Sequence, residues 1–428
     1  MLCAASAAAR RRAMTDAESS FVARTEFIIE LARRLHAYGT TAQRLEGAIS
    51  AVARRLGVGC EVWSNPTGII LSFSDPTRGP LTDTTRVIRL EPGDVDLRKL
   101  CQADEIADRV VTGEMDLAAG KAALRALDRP PSRRMVAMTV FSFGLASASV
   151  AALLRTGWGD IATAAVIGWL IGALSMAATT RPRLLEASDA VAALLATLLA
   201  AAVATWLMPL TLNLVIVASL IVLLPGLALT NAVAELTHQH LVSGTARFAG
   251  AMATLLKLTF GTVAAMQLVR LLGWQPQEAA TALLPPWLEW VALATASYAF
   301  AVLFRAEKRD YLLVMAAAWL GYGVTRLAGV WLGTEAGGFP VGVFLAGMAV
   351  TAVSNGYARW VNRPGALIRV PGIILLVPGS VGFRSLTFMM ERDVMLGLDT
   401  AFTLVNALVA LVAGILFGNL LIPSRRNL

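Results

Sequence analysis

The chain has 428 residues, 56% of them hydrophobic and only 15% charged, with a formal net charge of +8 at pH 7 and a mean hydropathy of +0.64. That composition excludes an ordinary soluble globular protein, which needs far more charge on its surface. Nucleic-acid binding is not indicated either, because in the apolar part the basic residues stand between hydrophobic runs and form no continuous patch.

The average conceals two regions. Of the first 134 residues 37 are charged, against 29 of the remaining 294, which sets a boundary near Pro130-Pro131-Ser132-Arg133-Arg134. Residues 1–24 are expected to be a flexible N-terminus. The opening MLCAASAAARRR carries its apolar run ahead of the arginines, the reverse of a signal peptide, so no cleaved signal is expected and Met14 is an alternative start. Cys3, Cys60 and Cys101 are odd in number and lack metal-ligand spacing, which suits reduced thiols. No metal or other cofactor is expected.

Residues 25–132 predict an α+β domain on the cytosolic side. Phe27, Ile28, Leu31 and Leu35 recur at helical spacing, Gly39-Thr40-Thr41 makes a turn, and a second helix runs through Leu45, Ile49, Val52 and Leu56 to Gly57. Short β-rich runs follow at Cys60 to Trp63, Thr67 to Phe73 and Thr84 to Leu90, separated by Asn65-Pro66 and Asp75-Pro76, and predict a small antiparallel sheet. Two more helices, Asp96 to Val111 and Met115 to Leu127, lead to the apolar region.

Beyond Met135 the apolar runs are long enough to cross a hydrocarbon core of about 30 Å, which takes about 20 helical residues. Ten are predicted: Met135–Leu154, Ile161–Thr180, Ala187–Leu207, Leu212–Ala234, Ala246–Leu272, Trp287–Phe304, Tyr311–Leu332, Phe339–Tyr357, Leu367–Thr387 and Leu398–Ile422. The expected fold is thus an α-helical polytopic membrane protein with an α+β domain ahead of it. With the N-terminal domain in the cytosol, the inner connections and tail carry ten basic residues: Arg181, Arg183, Arg247, Arg305, Lys308, Arg309, Arg359, Arg363, Arg425 and Arg426. The outer loops carry three: Arg155, Arg270 and Arg392. Lys257, Arg326, Arg369 and Arg384 fall within or at the ends of helices. This asymmetry predicts both termini inside.

The fourth and ninth runs share an interruption, Leu223-Leu224-Pro225-Gly226 and Leu376-Val377-Pro378-Gly379, 153 positions apart, and Gly261 and Gly414 keep the same offset. Ten helices then divide into two repeats of five, residues 133–280 and 281–428. An odd number per repeat forces the second to enter the bilayer inverted, as in many secondary transporters. Pro-Gly removes a backbone donor and loosens the turn, so nearby carbonyls need protein, water or solute as partners. A packing kink is the plainer reading of either one alone.

The stretches LARRLHAYGTTAQRLEGAISAVARRLGV, NPTGIILSF and LLPGLALTNAV, in this order, resemble the threonine/serine exporter family from about Thr25 onward. The resemblance implies a bacterial inner-membrane carrier that expels L-threonine and L-serine at the expense of the proton-motive force. Relatives split into two polypeptides are associated with succinate export, and this chain resembles both halves fused. No family motif transfers residue by residue, so the candidate site rests on chemistry.

Pro225, Gly226, Pro378 and Gly379 are the candidate path-lining breaks. Asn231 and Glu235 follow the first break at i and i+4, placing an amide and a carboxylate on one helix face, unless Glu235 simply lies at the cytosolic end of its helix. Lys257 is central in its helix, where charge is costly, and could meet a substrate carboxylate or form an ion pair with Glu235 or Asp399. Arg384, at the position matching Asn231, could bind a carboxylate or anchor at the interface. Asn213, Arg326 and Asn355 suggest hydrogen bonds between helices. His238 and His240 read as loop residues rather than metal ligands. His36, Ser64, Thr67 and Asp75 could be assembled into a hydrolase-like site, but no nucleophile elbow, phosphate loop or metal motif supports one. The expected partners are a small-molecule substrate, protons and lipid, with a homo-oligomer open. The alternatives are a dicarboxylate exporter and a membrane-anchored enzyme with its chemistry in the N-terminal domain.

Overall fold

The computed structural model describes residues 2–75, 84–279, 284–332, 340–391 and 393–424, with side chains from Ser20 onward except that of Leu332. Pro76, Phe339, Arg392, Arg425 and Arg426 lie outside the described residues, as do the side chains of Cys3 and Met14. Helix α1 spans Leu2–Ala37, so it begins well before Thr25, and α2 spans Ala42–Arg55. Strands β1 (Gly59–Asn65), β2 (Gly68–Ser74) and β3 (Thr84–Arg89) follow, then α3 (Leu97–Val111) and α4 (Leu117–Ala126). The helix pair, three strands and helix pair expected from the pattern are therefore present.

Their core is built from the predicted periodicities. Phe27, Ile28, Leu31 and Leu35 of α1 and Leu45, Ile49 and Val52 of α2 are buried against Ile69, Leu71 and Phe73, which alternate along β2 as one face of a sheet must. The sheet is antiparallel in the order β1-β2-β3, and Asn65 pairs with Gly68 across a two-residue turn. The Asn65 side chain accepts from the Thr67 backbone N–H (3.0 Å) and steadies that turn. Asp96 and Asp116 cap α3 and α4, accepting from Lys99 N (2.9 Å) and Ala119 N (2.6 Å). Gly39, at φ +75°, ends the α1 turn, and its missing Cβ leaves room for the backbone of Asp94 and Val95, 2.9 Å from where that carbon would stand.

Burial depresses His36 below the ordinary imidazole range, and its Nε2 lies 3.1 Å from the Asn65 carbonyl oxygen, to which it donates. The folded ring is neutral where an unfolded one would be charged. Its stabilisation is complete above about pH 6.5 and is lost as pH falls through the folded value, with a slope of up to about 1.4 kcal/mol per pH unit. Unfolding followed between pH 7.5 and 5 should show this loss, and His36→Gln, which can still donate to Asn65, should flatten the profile. An unchanged slope would remove His36 as the cause.

The remaining helices are α5 (Arg133–Leu153), α6 (Trp158–Ala178), α7 (Pro182–Trp206), α8 (Leu212–Ser219), α9 (Gly226–Thr237), α10 (Leu241–Leu271), α11 (Trp287–Leu303), α12 (Tyr311–Leu332), α13 (Val341–Trp360), α14 (Ala366–Ile374), α15 (Gly379–Met390) and α16 (Val394–Leu421). Among the described residues, eight runs are long and apolar enough to cross a bilayer: α5, α6, α7, α10, α12, α13, the α14–α15 run and α16. The chain is a multi-pass membrane protein. The other two predicted spans differ from expectation. Helix α11 is a shorter apolar helix of 17 residues, and the fourth span is two short helices rather than one.

Small residues allow close packing between helices, as expected where lipid provides no hydrophobic drive for association. A Cβ on Gly261 would stand 2.2 Å from the Ala190 carbonyl oxygen, and one on Gly414 would stand 2.2 Å from that of Phe344. Large apolar side chains such as Leu170, Phe260, Phe402 and Leu420 point outward. Asp160 is buried at the start of α6 and ties three donors together: Gly157 N (2.9 Å), Thr211 N (2.9 Å) and Thr211 Oγ1 (2.8 Å).

Helix starts recur at the sequence offset of 153, at Trp158 and Tyr311, Gly226 and Gly379, and Leu241 and Val394. Local packing recurs with them. A Cβ on Gly244 would lie 3.0 Å from the Ala232 carbonyl oxygen, and one on Gly397 would lie 3.1 Å from that of Ser385.

Candidate functional site

Each break is made the same way. After α8 the chain turns, with Leu223 N and Leu224 N both donating to the Leu220 carbonyl, and α9 starts again at Gly226. After α14, Leu376 N and Val377 N both donate to the Ile373 carbonyl, and α15 starts again at Gly379. Proline has no N–H to continue the first helix, yet it is well suited to begin the second. Pro225 (φ −81°, ψ 40°) and Pro378 (φ −83°, ψ 40°) precede helices of 12 residues each.

The two restarts touch. A Cβ on Gly226 would lie 2.3 Å from Val377 Cγ1 and 3.0 Å from Gly379 N, and one on Gly379 would lie 2.9 Å from both Gly226 N and Cα. Only glycine at both positions allows the backbones to cross this closely. The first N–H groups of a helix have no partner within it and form the positive end of its dipole, so two such ends meet here. Beside the crossing is a cavity of about 330 Å³, near the lower limit of roughly 300–1,000 Å³ for small-molecule sites. Gly226 and Gly379 both line it, the Thr139 and Ser380 side chains also border it, Phe143 and Phe300 supply apolar wall, and Asp94 and Arg305 lie at its edge.

The structure thus brings Pro225, Gly226, Pro378 and Gly379 together but does not gather the other candidates around them. Lys257 donates to the Glu186 carbonyl (3.1 Å) and pairs with Asp189 (3.9 Å), so its ion-pair partner is on α7 and is neither Glu235 nor Asp399. Its side chain is 46% exposed. Arg384 is exposed, with its guanidinium 5.8 Å from the Phe388 ring centroid, and Asn231 is half-buried on α9. Asn213 is exposed, whereas Asn355 donates to Asn419 Oδ1 (2.8 Å) and the Ile422 carbonyl (2.7 Å), joining α13 to α16 as expected. Arg326 pairs with Glu289, which also accepts from Tyr322 Oη (2.6 Å) and lies 3.6 Å from Arg155.

Glu235 is only 2% exposed and joins the N-terminal region to the membrane helices. It accepts from the Ala42 backbone N–H (3.1 Å), Ser243 Oγ (2.7 Å) and both Nε and Nη2 of Arg247 (3.2 Å each). A second anchor lies past α11, where Leu97 N donates to the Phe304 carbonyl (3.0 Å), Arg98 N donates to the Arg305 carbonyl (3.2 Å) and Arg305 pairs with Asp96 (3.4 Å). Arg305 adopts φ +52° as the left-handed residue that closes α11, with its N–H donating to the Val302 carbonyl (2.9 Å) and Ala306 N donating to the Ala301 carbonyl (3.0 Å). His240 faces Glu46 at 3.5 Å, and His238 Nδ1 lies 2.7 Å from the Ala234 carbonyl oxygen. Sequence reasoning missed Arg247, Asp96 and Arg305 as docking residues. Only Asp96, a cap before a helical run, carried a local signal, and that signal concerned its own helix.

Two family profiles match in succession. One, described as "Putative threonine/serine exporter", matches residues 26–269, and the other, described as "Threonine/Serine exporter, ThrE", matches residues 289–421. Two uncharacterized proteins of the fission yeast Schizosaccharomyces pombe are similar. One is 23% identical over 398 residues, covering 90% of this chain and 46% of the relative. The other is 30% identical over 156 residues, covering 35% of this chain and 20% of the relative. The chain therefore spans about half the length of the first and a fifth of the second. No solved structure matches at a significant level. The first profile alone spans more than half of the chain, including the N-terminal region and the first break, and the second includes the other break, so the protein belongs to the threonine/serine exporter family.

Proposed function

We propose that the protein is a secondary exporter of small amino acids of the threonine and serine type, working by alternating access around the crossing of α9 and α15 and driven by the proton-motive force. In this reading the membrane part makes ten crossings as two inverted five-helix repeats. The N-terminal region and both termini lie on the cytoplasmic side of a bacterial inner membrane, in keeping with the distribution of basic residues. The observation that carries the reading is the pair of matching breaks meeting backbone to backbone beside a cavity. Interrupted helices at membrane depth are tolerated where they are buried in protein or line a polar route, and two helix N-termini that meet bring the positive ends of their dipoles to where a carboxylate could bind. A proton entering the cell supplies about 2.3 kcal/mol per 100 mV, enough for tens-fold accumulation outside.

The deciding experiment is efflux from cells preloaded with labelled threonine, serine or succinate, with and without an uncoupler. Threonine and serine should leave several times faster than from cells lacking the protein, and the difference should vanish with the uncoupler. Succinate efflux alone would replace the amino-acid substrate with a dicarboxylate, and no efflux of any of the three would overturn the carrier reading.

A further inference from the structure

The cavity at the crossing is not walled by membrane helices alone. Two of the residues that line it, Asp94 and Val95, belong to the N-terminal region, in the stretch that joins β3 to α3. Among the described residues of its wall, Asp94 carries the one carboxylate and Arg305 the one cation. Arg305 is already occupied, since its guanidinium pairs with Asp96 at 3.4 Å. Asp94 is not: among the described residues its carboxylate makes no hydrogen bond and no ion pair, and it is exposed, so a solute arriving through water can reach it. The other polar side chains of the wall are the hydroxyls of Thr139 and Ser380, which carry no charge.

An exposed carboxylate in a connecting stretch is ordinarily a solvated one on a mobile backbone. The backbone around Asp94 is instead held from two sides. A Cβ on Gly93 would stand 2.2 Å from the His36 carbonyl oxygen and 2.6 Å from that of Ala37, so the residue just before Asp94 lies directly on the end of α1. The Asp94 carbonyl carbon and Val95 N lie against Gly39, 2.9 Å from where its Cβ would stand. On the other side, Leu97 N and Arg98 N donate to the carbonyls of Phe304 and Arg305 past the end of α11, at 3.0 and 3.2 Å. Asp94 is thus presented to the cavity by backbone contacts on both flanks, and little of its backbone freedom remains to be lost when a solute binds.

We propose that Asp94 is a specificity-determining residue of the solute site, its carboxylate accepting hydrogen bonds from the ammonium of an amino acid at the edge of the cavity. The inference rests on the carrier reading for its solute and extends it, because it makes the N-terminal region a part of the site. A small zwitterion needs an anion and a positive field close together. Asp94 supplies the first, and the helix starts at Gly226 and Gly379, which line the same cavity, supply the second. A dicarboxylate meets only repulsion at Asp94, so the residue also selects against that class. On the orientation proposed above, the end of α11 and Asp94 beside it face the cytoplasm, and the ammonium is read as the solute enters.

The test measures initial rates of labelled threonine transport into energised inverted membrane vesicles carrying the full chain, as wild type, Asp94→Asn, Asp94→Glu and Glu91→Gln. Asp94→Asn should raise KM for threonine about 10- to 100-fold, as expected for loss of a charge-assisted hydrogen bond, with the maximal rate little changed. Asp94→Glu, which keeps the charge on a longer arm, should recover part of the loss. Glu91→Gln is the matched control, since Glu91 is exposed on the same stretch but does not line the cavity. The hydroxy acid analogue of threonine, in which a hydroxyl replaces the ammonium, should compete with threonine better in Asp94→Asn than in wild type. Purified Asp94→Asn in detergent should unfold at the wild-type temperature, because the Asp94 side chain holds no other part of the fold. An unchanged KM in Asp94→Asn, an equal rise in Glu91→Gln or earlier unfolding of Asp94→Asn overturns this inference and leaves the carrier standing. Transport of succinate without threonine by wild type overturns the ammonium site and keeps a carrier, whereas transport of neither removes the carrier and the site together.

Discussion

Alanine at either helix-starting glycine is expected to reduce solute efflux by about 10- to 100-fold at equal abundance in the membrane. Gly379→Ala should be the more damaging, because its methyl group would stand 2.9 Å from the backbone of Gly226 and no side chain can swing away to receive it. In Gly226→Ala the nearest atom is Val377 Cγ1, which can move in part, but the Gly379 backbone at 3.0 Å cannot. Overpacking of this kind costs about 1–3 kcal/mol, and each 1.4 kcal/mol added to a barrier slows the step tenfold. Because one separation of the backbones accommodates both methyl groups, the double variant should be little worse than Gly379→Ala alone. Gly250→Ala on α10 is the matched control, since a Cβ there meets nothing within 4 Å. Wild-type efflux from Gly379→Ala would show that the crossing is not part of the solute path.

Glu235→Ala should loosen the N-terminal region from the membrane helices. It leaves the Ala42 N–H, the Ser243 hydroxyl and the Arg247 guanidinium without their shared acceptor. Removing one partner of a buried ion pair typically costs about 3–5 kcal/mol, much of it from the charge left behind. The exposed stretch from Arg129 to Arg134 then offers a direct measurement, because trypsin should cut there faster in the variant. Glu235→Gln should be milder, as its amide oxygen still accepts from Ala42, and Glu235→Ala combined with Arg247→Ala should recover part of the loss. Cleavage at the wild-type rate in Glu235→Ala would mean that this anchor does not hold the region in place.

Local features were well legible in the sequence. Periodicity placed the core of α1, α2 and β2, and the matched Leu-Leu-Pro-Gly and Leu-Val-Pro-Gly segments located both breaks, because proline and glycine act on their own backbone and need no tertiary context. What could not be read was helix rotation. Lys257 falls in the middle of a long apolar run whichever way it faces, and only packing turns it toward Asp189 on α7. The same limit hid the contact of Gly226 with Gly379 and the role of Glu235, whose partners Ala42 and Arg247 are 193 and 12 positions away.

The N-terminal region grips the membrane helices at two separate places, one on the α9–α10 corner and one just past α11. On the two-repeat reading proposed above, one of these places falls in each repeat, and the region would act as a tie-bar across them. Any motion that swings one repeat against the other must stretch this tie-bar or detach one of its ends. The strength of its weaker end therefore limits how far, and how often, the molecule can change shape.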